Sequence, residues 1–236
     1  MDTFQYVRCS LAENLLAVCP IIEKAATNEH ILPMFLALLR DESSDVRLNL
    51  FKRLQELNEV IGIENLSQSI IPALTELSQD KNWRIKFSVV ELFPTLAKQL
   101  GEAFFVEKLN PICITWLSDS IFSIREAAVT NIKALTEVFG AQWAVTHVIP
   151  KLLSLHVHAN YLHRLTPLFG MAALSSVVPA DVMRRMFIPV LVTLQHDPVP
   201  NIRMNVAKTI QQILPNAKSA GDLEERLRNL AKELAT

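Results

Sequence analysis

Three histidines near one predicted turn are the side chains whose type and spacing come nearest to a chemical site. His156 and His158 form a His-Val-His pair, and His163 follows shortly after them. Imidazole nitrogens are frequent zinc ligands, but zinc sites combine them with further histidines, cysteines or carboxylates at defined spacings. No cysteine or carboxylate lies close to these histidines in the sequence. The cluster therefore does not predict a metal centre.

The other reactive side chains do not form a catalytic pattern either. Acidic residues occur singly or as surface pairs such as Glu224 and Glu225, and Cys113 has no base near it in the sequence. The sequence contains no GxSxG nucleophile elbow, no P-loop, no HExxH motif and no dinucleotide-binding fingerprint. Its lysines and arginines are too sparse for a nucleic-acid track. We therefore expect a protein that is not an enzyme and that binds no cofactor, metal or nucleic acid.

Composition and charge indicate a globular protein of a reducing compartment. Hydrophobic residues make up 50% of the chain, and the formal net charge is −1, so nothing indicates a nucleic-acid or membrane footprint. Apolar runs are short and interrupted, and the N-terminal MDTFQYVRCSLAEN lacks the pattern of a secretory signal. Cys9, Cys19 and Cys113 form an odd set without CxxC spacing, which predicts free thiols and a location in the cytoplasm or nucleus.

An internal repeat with a step of 39 residues organises the chain. Prolines with this step are Pro33, Pro72, Pro111, Pro150 and Pro189. Aspartates keep the same step, with a histidine in one slot: Asp41, Asp80, Asp119, His158 and Asp197. The basic residues of the repeat are Arg8, Arg47, Lys86, Arg125, Arg164 and Arg203, and its glycines are Gly62, Gly101 and Gly140. Several markers that share one period predict a repeat architecture.

Each repeat is predicted to consist of two helices, because apolar residues recur at three- and four-residue steps. The first helix carries the proline, as in IPALTELSQ, and the second carries the basic residue, as in IKFSVVELFPTLAKQLG. The proline should kink or start the first helix, and the glycine should cap the second helix with a positive φ. One helix pair cannot bury its apolar face alone, so successive pairs must stack. The sequence thus predicts an all-α protein with the architecture of an α-solenoid.

The register of the markers predicts one solenoid over residues 1–236. The expected bounds are a half repeat at 1–28, complete repeats at about 29–62, 66–101, 104–140, 143–179 and 181–216, and a half repeat at 219–236. Arg8 occupies a second-helix slot, and DLEERLRNLAKELAT reads as a first helix whose aspartate slot falls at Thr236. Because natural solenoids end in polar caps, we expect the chain to be part of a longer one.

The periodic charges are predicted to be structural. In every repeat that carries the aspartate, the basic residue lies six positions after it, just beyond the turn, so an aspartate can meet the basic residue of its own or of the next repeat. An exposed pair contributes only about 0–1 kcal/mol, although networks contribute more. The predicted ladder comprises Asp41, Arg47, Asp80, Lys86, Asp119, Arg125, Arg164, Asp197 and Arg203.

The slot three residues after the aspartate carries an aromatic ring in three consecutive repeats. Its occupants are Ser44, Trp83, Phe122, Tyr161 and Pro200, and those of the next slot are Asp45, Arg84, Ser123, Leu162 and Asn201. All these turns should fall on one edge of the solenoid, with helix layers about 10 Å apart. The rings either fold back between the helices of their own repeat or project for binding. Their recurrence favours binding, because Trp, Tyr and Arg dominate interface hot spots.

Long stretches of the sequence resemble a known family. They are RDESSDVRLNL, LNEVIGIENLSQSIIPAL, KNWRIKFSVVE, KLNPICITWLSDSIFSIREAA, NYLHRLTPLF and DPVPNIRMNVAK. They are spread along nearly the whole chain, and they resemble the C-terminal part of the HEAT-repeat scaffold (A-type) subunit of protein phosphatase 2A. The resemblance implies a right-handed solenoid of HEAT repeats with two helices in each 39-residue repeat.

The resemblance also implies a function and a set of binding residues. Scaffold subunits of this family dock the serine/threonine phosphatase catalytic subunit on the intra-repeat turns of their C-terminal repeats, and regulatory subunits mainly on N-terminal repeats that this chain lacks. Carried over by position, the docking residues are Trp83, Arg84, Phe122, Tyr161, Leu162, Val199 and Pro200. Phe122 stands where the family more often has tyrosine, so a hydroxyl hydrogen bond would be lost there. The expected role is to position the catalytic subunit relative to regulatory subunits.

Two other functions remain open at this point. A generic HEAT adaptor would bind a different protein through its concave face. An enzyme would need acids and bases that converge in one groove, and the sequence offers none.

Overall fold

The computed structural model describes residues 2–19, 21–51, 66–217 and 221–234. Within these ranges the regular secondary structure is helical and contains no strand, which confirms the predicted all-α class. Contacts divide the chain into two compact units, Met1–Gly101 (unit 1) and Glu102–Thr236 (unit 2). Among the described residues, no helix is both long enough and apolar enough to cross a bilayer.

Unit 1 is built from six α-helices and three shorter helical segments in its described part. The α-helices are α1 (Gln5–Leu15), α2 (Lys24–Ala26), α3 (Leu32–Leu39), α4 (Ser44–Phe51), α5 (Ile71–Leu77) and α6 (Trp83–Leu100). The shorter segments are a 3₁₀ turn at Leu16–Val18 and π-helical turns at Thr27–Ile31 and Leu66–Ile70. Helix α4 packs against both α1 and α6, so the second helices of successive repeats form one layer.

Unit 2 repeats this organisation over its described residues. Its α-helices are α7 (Glu102–Lys108), α8 (Asn110–Trp116), α9 (Phe122–Phe139), α10 (Ala141–His147), α11 (Ile149–Ser154), α12 (Tyr161–Leu174), α13 (Ala180–Val182), α14 (Ile188–Leu194), α15 (Pro200–Ala217) and α16 (Asp222–Glu233). A 3₁₀ turn spans Leu155–Val157 and a π-helical turn spans Met183–Phe187. Helix α12 packs between α9 and α15, again as a layer of second helices.

The periodic prolines divide the first helix of each repeat into two segments. Each proline occupies one of the first two positions of the later segment, in α3, α5, α8, α11 and α14. A proline fits there because it has no N–H to donate to the preceding turn. Before α3, α5 and α14 the chain takes up the change as a π-helical turn. The predicted kink or start at the proline is thus confirmed.

Glycine ends the second helix where the sequence predicted it. Gly101 follows α6 with φ +78°, and Gly140 follows α9 with φ +91°. Each glycine N–H donates back into the helix, to the carbonyl oxygens of Ala97 and Thr136 respectively. Left-handed backbone of this kind is strained for residues that carry a side chain and relaxed for glycine. Gly62, the third predicted cap, lies outside the described residues.

Gly170 lies where the two helices of one repeat approach each other closely. A Cβ atom on this residue of α12 would lie 2.4 Å from Cδ2 of Leu152 on α11. Leu152 is fully buried, so its side chain would have to shift within the packed core.

We expect Gly170→Ala to destabilise the protein by about 1–3 kcal/mol, as overpacked cores do. Urea unfolding of the variant would measure the loss. The double variant Leu152→Ala with Gly170→Ala is the control, because removing the clashing atoms should make the two effects less than additive. Strict additivity would show that the glycine is required for another reason.

Candidate partner-binding turns

The periodic charges form ion pairs between successive repeats. In unit 1 the Nε and Nη2 atoms of Arg8 lie 2.7 and 3.1 Å from the two carboxylate oxygens of Asp41. In unit 2 the same atoms of Arg164 lie 2.7 and 2.9 Å from those of Asp197. The arginine of one second helix therefore pairs with the aspartate that precedes the next second helix. The four side chains are almost entirely buried, with exposures between 5% and 12%.

The remaining ladder residues are placed less uniformly. Arg47 and Asp80 form a third pair, with 3.3 Å between Nη2 and Oδ2. Lys86 belongs to unit 1 and Asp119 to unit 2. The slot that follows Arg203 falls at Thr236, which lies outside the described residues, and the slot that follows Arg125 holds His158.

Each aspartate also holds the turn of its own repeat. Oδ1 of Asp80 accepts the N–H of Asn82 at 2.7 Å, and Oδ1 of Asp197 accepts the N–H of Val199 at 2.9 Å. The basic residue closes the turn from the other side, because Nη1 of Arg203 donates to the carbonyl oxygen of Asp197 at 2.8 Å. The same aspartate bond runs from Ser43 to Asp41 and from Ile121 to Asp119. The turn residues between these bonds therefore sit on a constrained backbone.

The ion pair gives unit 1 a defined acid sensitivity. The hydrogen bond from Arg8 lowers the pKa of Asp41 from its ordinary value of 3.8, against the opposing effect of burial, and the N–H of Ser43 adds to the lowering. A carboxyl group with a lowered folded pKa stabilises the fold above its unfolded pKa, and this contribution is lost as the pH falls through the folded pKa.

We therefore expect the urea midpoint of the protein to fall as the pH drops below about 4. In Asp41→Asn, which has no proton to gain at this position, the midpoint should start lower and fall less steeply with pH. Denaturation curves recorded at a series of pH values would measure both slopes. Equal slopes would mean that other carboxylates dominate the acid response.

The aromatic residues of the turn slot each open a long second helix and remain accessible. Trp83, Phe122 and Tyr161 are the first residues of α6, α9 and α12, and they are 36%, 48% and 38% exposed. Asparagines cap two of these helices: the Asn82 and Asn160 side chains accept the N–H groups two residues later at 3.0 Å. Such caps fix where the helix begins and therefore where the ring stands.

Trp83 and Phe122 each contact a neighbouring aromatic ring and still remain partly exposed. Trp83 meets Phe87 of its own helix edge to face, with 6.3 Å between centroids, and the guanidinium of Arg84 lies 4.9 Å above the Trp83 ring. Phe122 meets Phe169 of the neighbouring second helix at 6.2 Å. The two interpretations of these rings are thus not exclusive, because a ring can contribute to packing and still present a face to solvent.

The other docking residues that the family resemblance implies lie at the turns before α12 and α15. Leu162 follows Tyr161 on α12 and is 39% exposed. Val199 is half-buried before α15, and Pro200 is the exposed first residue of that helix. Within unit 2 these turns precede α12 and α15, which pack side by side.

A groove beside Phe122 is a feature that the sequence analysis missed. It has a volume of 480 Å³ and lies between the second helices α9, α12 and α15, with Phe122, Glu126, Val129, Phe169, Ala173 and Gln212 in its lining. Small lining residues such as Ala173 leave room between adjacent helices, but their sequence positions alone do not indicate a groove.

The three histidines separate into different environments. His156 makes a 2.7 Å hydrogen bond through Nδ1 with the carbonyl oxygen of Leu153, whereas the rings of His158 and His163 lie 4.4 Å apart. In the described part of the chain no three histidine, cysteine or acidic side chains come together as metal ligands. Cys113 is buried, and burial raises the pKa of its thiol, which opposes any role as a nucleophile.

Comparison with known proteins identifies the repeat and its relatives. The HEAT-repeat family profile matches residues 31–61, 70–100 and 187–217. The regulatory A subunit of protein phosphatase PP2A from Schizosaccharomyces pombe is 44% identical over 79 residues, which is 34% of this chain and 13% of that protein. The beta isoform of the human 65 kDa regulatory A subunit of serine/threonine-protein phosphatase 2A is 48% identical over 59 residues, 25% of this chain and 10% of that protein.

A longer and weaker match extends over most of the chain. Human serine/threonine-protein phosphatase 4 regulatory subunit 1 is 23% identical over 219 residues, which is 88% of this chain and 23% of that protein. The aligned regions thus cover less than a quarter of each of these relatives. All three are regulatory subunits by name, in agreement with the prediction that this chain is not an enzyme.

Solved structures with the same fold support the solenoid architecture. The N-terminal domain of MAST/Orbit aligns with a TM-score of 0.63 and 24% identity, covering 85% of this chain and 92% of that one. Importin beta aligns with a TM-score of 0.55 and 13% identity, covering 97% of this chain and 36% of that one. At these identities the likeness concerns the fold alone. The predicted α-solenoid is confirmed, HEAT repeats match three stretches of the chain, and parts of the chain are similar to the regulatory A subunit of protein phosphatase PP2A.

Proposed function

We propose that the chain is a non-catalytic scaffold that docks a serine/threonine phosphatase catalytic subunit on its intra-repeat turns. The observation that carries the proposal is the half-exposed aromatic residue at the start of the second helix in three consecutive repeats, Trp83, Phe122 and Tyr161. Similarity to the regulatory subunits of phosphatases 2A and 4 supports the choice of partner. Docked there, the catalytic subunit would be positioned relative to regulatory subunits.

The construction of the turns suits docking with little loss of conformational entropy. The Asp197 carboxylate and the Arg203 guanidinium clamp one turn through backbone bonds, and the Asn160 side chain caps the helix after another. A partner that meets side chains on such a backbone does not have to order the loop itself, and preorganisation of this kind raises affinity.

The groove between α9, α12 and α15 supports a second candidate function. It is lined by Phe122 and Phe169 together with the carboxylate-bearing Glu126, so it suits an apolar segment with a basic residue. A generic HEAT adaptor would use this face of the second helices instead of the turns.

Two charge reversals distinguish the candidates. Arg84 at a turn and Glu126 in the groove are both exposed, so each can be reversed with little effect on folding. We expect Arg84→Glu to lower the affinity for the phosphatase catalytic subunit by about tenfold, in line with interface arginines, and Glu126→Lys to leave the affinity unchanged. Surface plasmon resonance with the immobilised catalytic subunit would measure both. Loss of affinity only in Glu126→Lys would favour the groove.

A further inference from the structure

Arg125 is a buried cation whose place in the ladder lacks a carboxylate. It lies on α9 and is only 5% exposed. Its Nη1 atom donates to the carbonyl oxygens of Asp119 at 2.8 Å and Ser120 at 3.1 Å. Within the described residues, Arg125 takes part in no ion pair, and its Nε and Nη2 atoms have no hydrogen-bond acceptor. Those are the two atoms through which Arg8 and Arg164 bind their aspartates.

His158 replaces the aspartate in holding the turn but not in supplying charge. The N–H of Asn160 donates to Nδ1 of His158 at 3.0 Å, so Nδ1 carries no proton in this arrangement. The proton of the neutral ring is therefore on Nε2, which makes that side of the ring a donor. A donor cannot satisfy the N–H groups of Arg125. This position of the ladder, at Arg125 and His158, is therefore an open rung, whereas the Arg8–Asp41 and Arg164–Asp197 pairs are closed rungs.

A second unsatisfied group lies at the same place. Nδ1 of His163 is buried and has no hydrogen-bond partner in the described part of the chain. Burial lowers the pKa of His163, the neighbouring His158 and Arg125 lower it further, and Asp119 opposes this lowering. Burial likewise lowers the pKa of Arg125. Buried polar groups without partners are costly, so this cluster stands to gain from an acceptor.

The closed rungs define the chemistry of the missing acceptor. At Arg8 and Arg164 one carboxylate takes Nε and Nη2 together, at distances of 2.7–3.1 Å. Bidentate pairs of this kind combine directional specificity with strong hydrogen bonds. The acceptor that fits the open rung is therefore a carboxylate.

The open rung borders the candidate docking surface. The guanidinium carbon of Arg125 lies 5.7 Å from the ring centroid of Phe122, which is exposed. His158 is itself exposed, and so are Tyr161 and Leu162, which follow it at the same turn. Arg125 therefore lies beside side chains that a protein docked on these turns would contact.

We propose that the open rung at Arg125, His158 and His163 binds an aspartate or glutamate side chain of the protein that docks on these turns. The inference rests on the proposed function, because it names the chemistry of the partner at the same surface. The partner carboxylate would complete the ladder between α9 and α12. It would also make this turn selective for an acidic contact, whereas Arg8 and Arg164 already bind the carboxylates of Asp41 and Asp197.

A partner-free experiment tests the site itself. Sodium acetate is titrated into the protein labelled with ¹⁵N-arginine, against sodium chloride at equal ionic strength, and the Nε–H resonance of Arg125 is followed by NMR. We expect a saturable shift in the wild type and in the uncharged control His158→Asn. In His158→Asp, whose carboxylate fills the rung from within, the shift should be absent. No shift in the wild type, or the same shift in His158→Asp, overturns the proposal. Tighter binding of phosphate than of acetate would overturn the choice of an acidic side chain.

The matching experiment with a phosphatase catalytic subunit separates this proposal from the proposed function. His158→Asp should raise the melting temperature by several degrees and lower the affinity for the catalytic subunit by about tenfold, because the rung is already occupied. His158→Asn should change neither property to that extent. Unchanged affinity in His158→Asp overturns the partner carboxylate while leaving turn docking intact. If the catalytic subunit does not bind the wild type, the proposed function fails, and the acetate titration still decides whether the rung is an anion site.

Discussion

Replacing both Trp83 and Tyr161 with alanine is expected to lower the affinity for the phosphatase catalytic subunit by about a thousandfold. Truncation of a hot-spot aromatic typically costs about 2 kcal/mol, which is about 30-fold in affinity. Trp83 belongs to unit 1 and Tyr161 to unit 2, and independent sites contribute additively. The two single variants should therefore each lose about 30-fold and combine in the double variant. Surface plasmon resonance or calorimetric titration would measure the three affinities.

The control for this experiment is an exposed apolar residue away from the turns. Val192 on the first helix α14 is 41% exposed, more than either ring, so Val192→Ala removes exposed apolar surface without touching the turn slot. It should leave the affinity unchanged. The melting temperatures of the ring variants should also change little, because each ring is already open to solvent on one side. A strong drop in melting temperature with unchanged affinity would show that the rings act only in packing.

The repeated helical architecture could be predicted from the sequence because its markers act locally. A proline without an N–H is favoured in the first turn of a helix segment, and Gly101 and Gly140 end helices through their own backbone conformation. None of these effects depends on the neighbouring repeat. The form of the kink was not predictable, because the π-helical turns before Pro33, Pro72 and Pro189 depend on how the earlier segment packs.

Which aspartate pairs with which basic residue could not be predicted from the sequence. The pairing depends on the distance between neighbouring repeats, and the spacing of residues along the sequence does not give that distance. An aspartate and a basic residue six positions apart lie on either side of one turn, so the sequence left pairing within or between repeats open. In the structure the side chains pair between repeats, as in Arg8 with Asp41, while the arginine Nη1 reaches back to a carbonyl oxygen of its own turn, as in Arg203 with Asp197. One guanidinium can serve both geometries, because it carries five donors in a fixed fork.

The residue types in the turn slot could be predicted from the sequence, but the exposure of their side chains could not. A recurring slot with Trp83, Phe122 and Tyr161 is visible in the sequence. How far each ring projects depends on the partner it rests on, such as Phe169 for Phe122, which comes from the next repeat. The role of His158 was hidden for the same reason: a histidine in an aspartate slot retains the backbone hydrogen bond but does not supply the kind of carboxylate that Arg8 and Arg164 bind.

The second large effect is expected when Asp197 is replaced with alanine. Its carboxylate binds Nε and Nη2 of Arg164 and accepts the N–H of Val199, and its side chain is only 6% exposed. Removing one partner of a buried ion pair leaves the other charge without compensation, which costs about 3 kcal/mol. The turn would lose its backbone acceptor as well. Urea unfolding of Asp197→Ala should therefore show a loss of at least that size.

Three further variants separate the contributions to this loss. Asp197→Asn keeps an oxygen for the N–H of Val199 and removes the charge, so it should cost less than Asp197→Ala. The double variant Asp197→Ala with Arg164→Met removes both charges and should recover part of the stability, because no buried cation is left unpaired. Glu224→Ala breaks the exposed pair with Arg228 on α16 and should cost no more than about 0.5 kcal/mol. Equal losses in Glu224→Ala and Asp197→Ala would mean that the rung contributes no more than an ordinary surface pair. The turns would then derive their rigidity from the helix caps and not from the ladder.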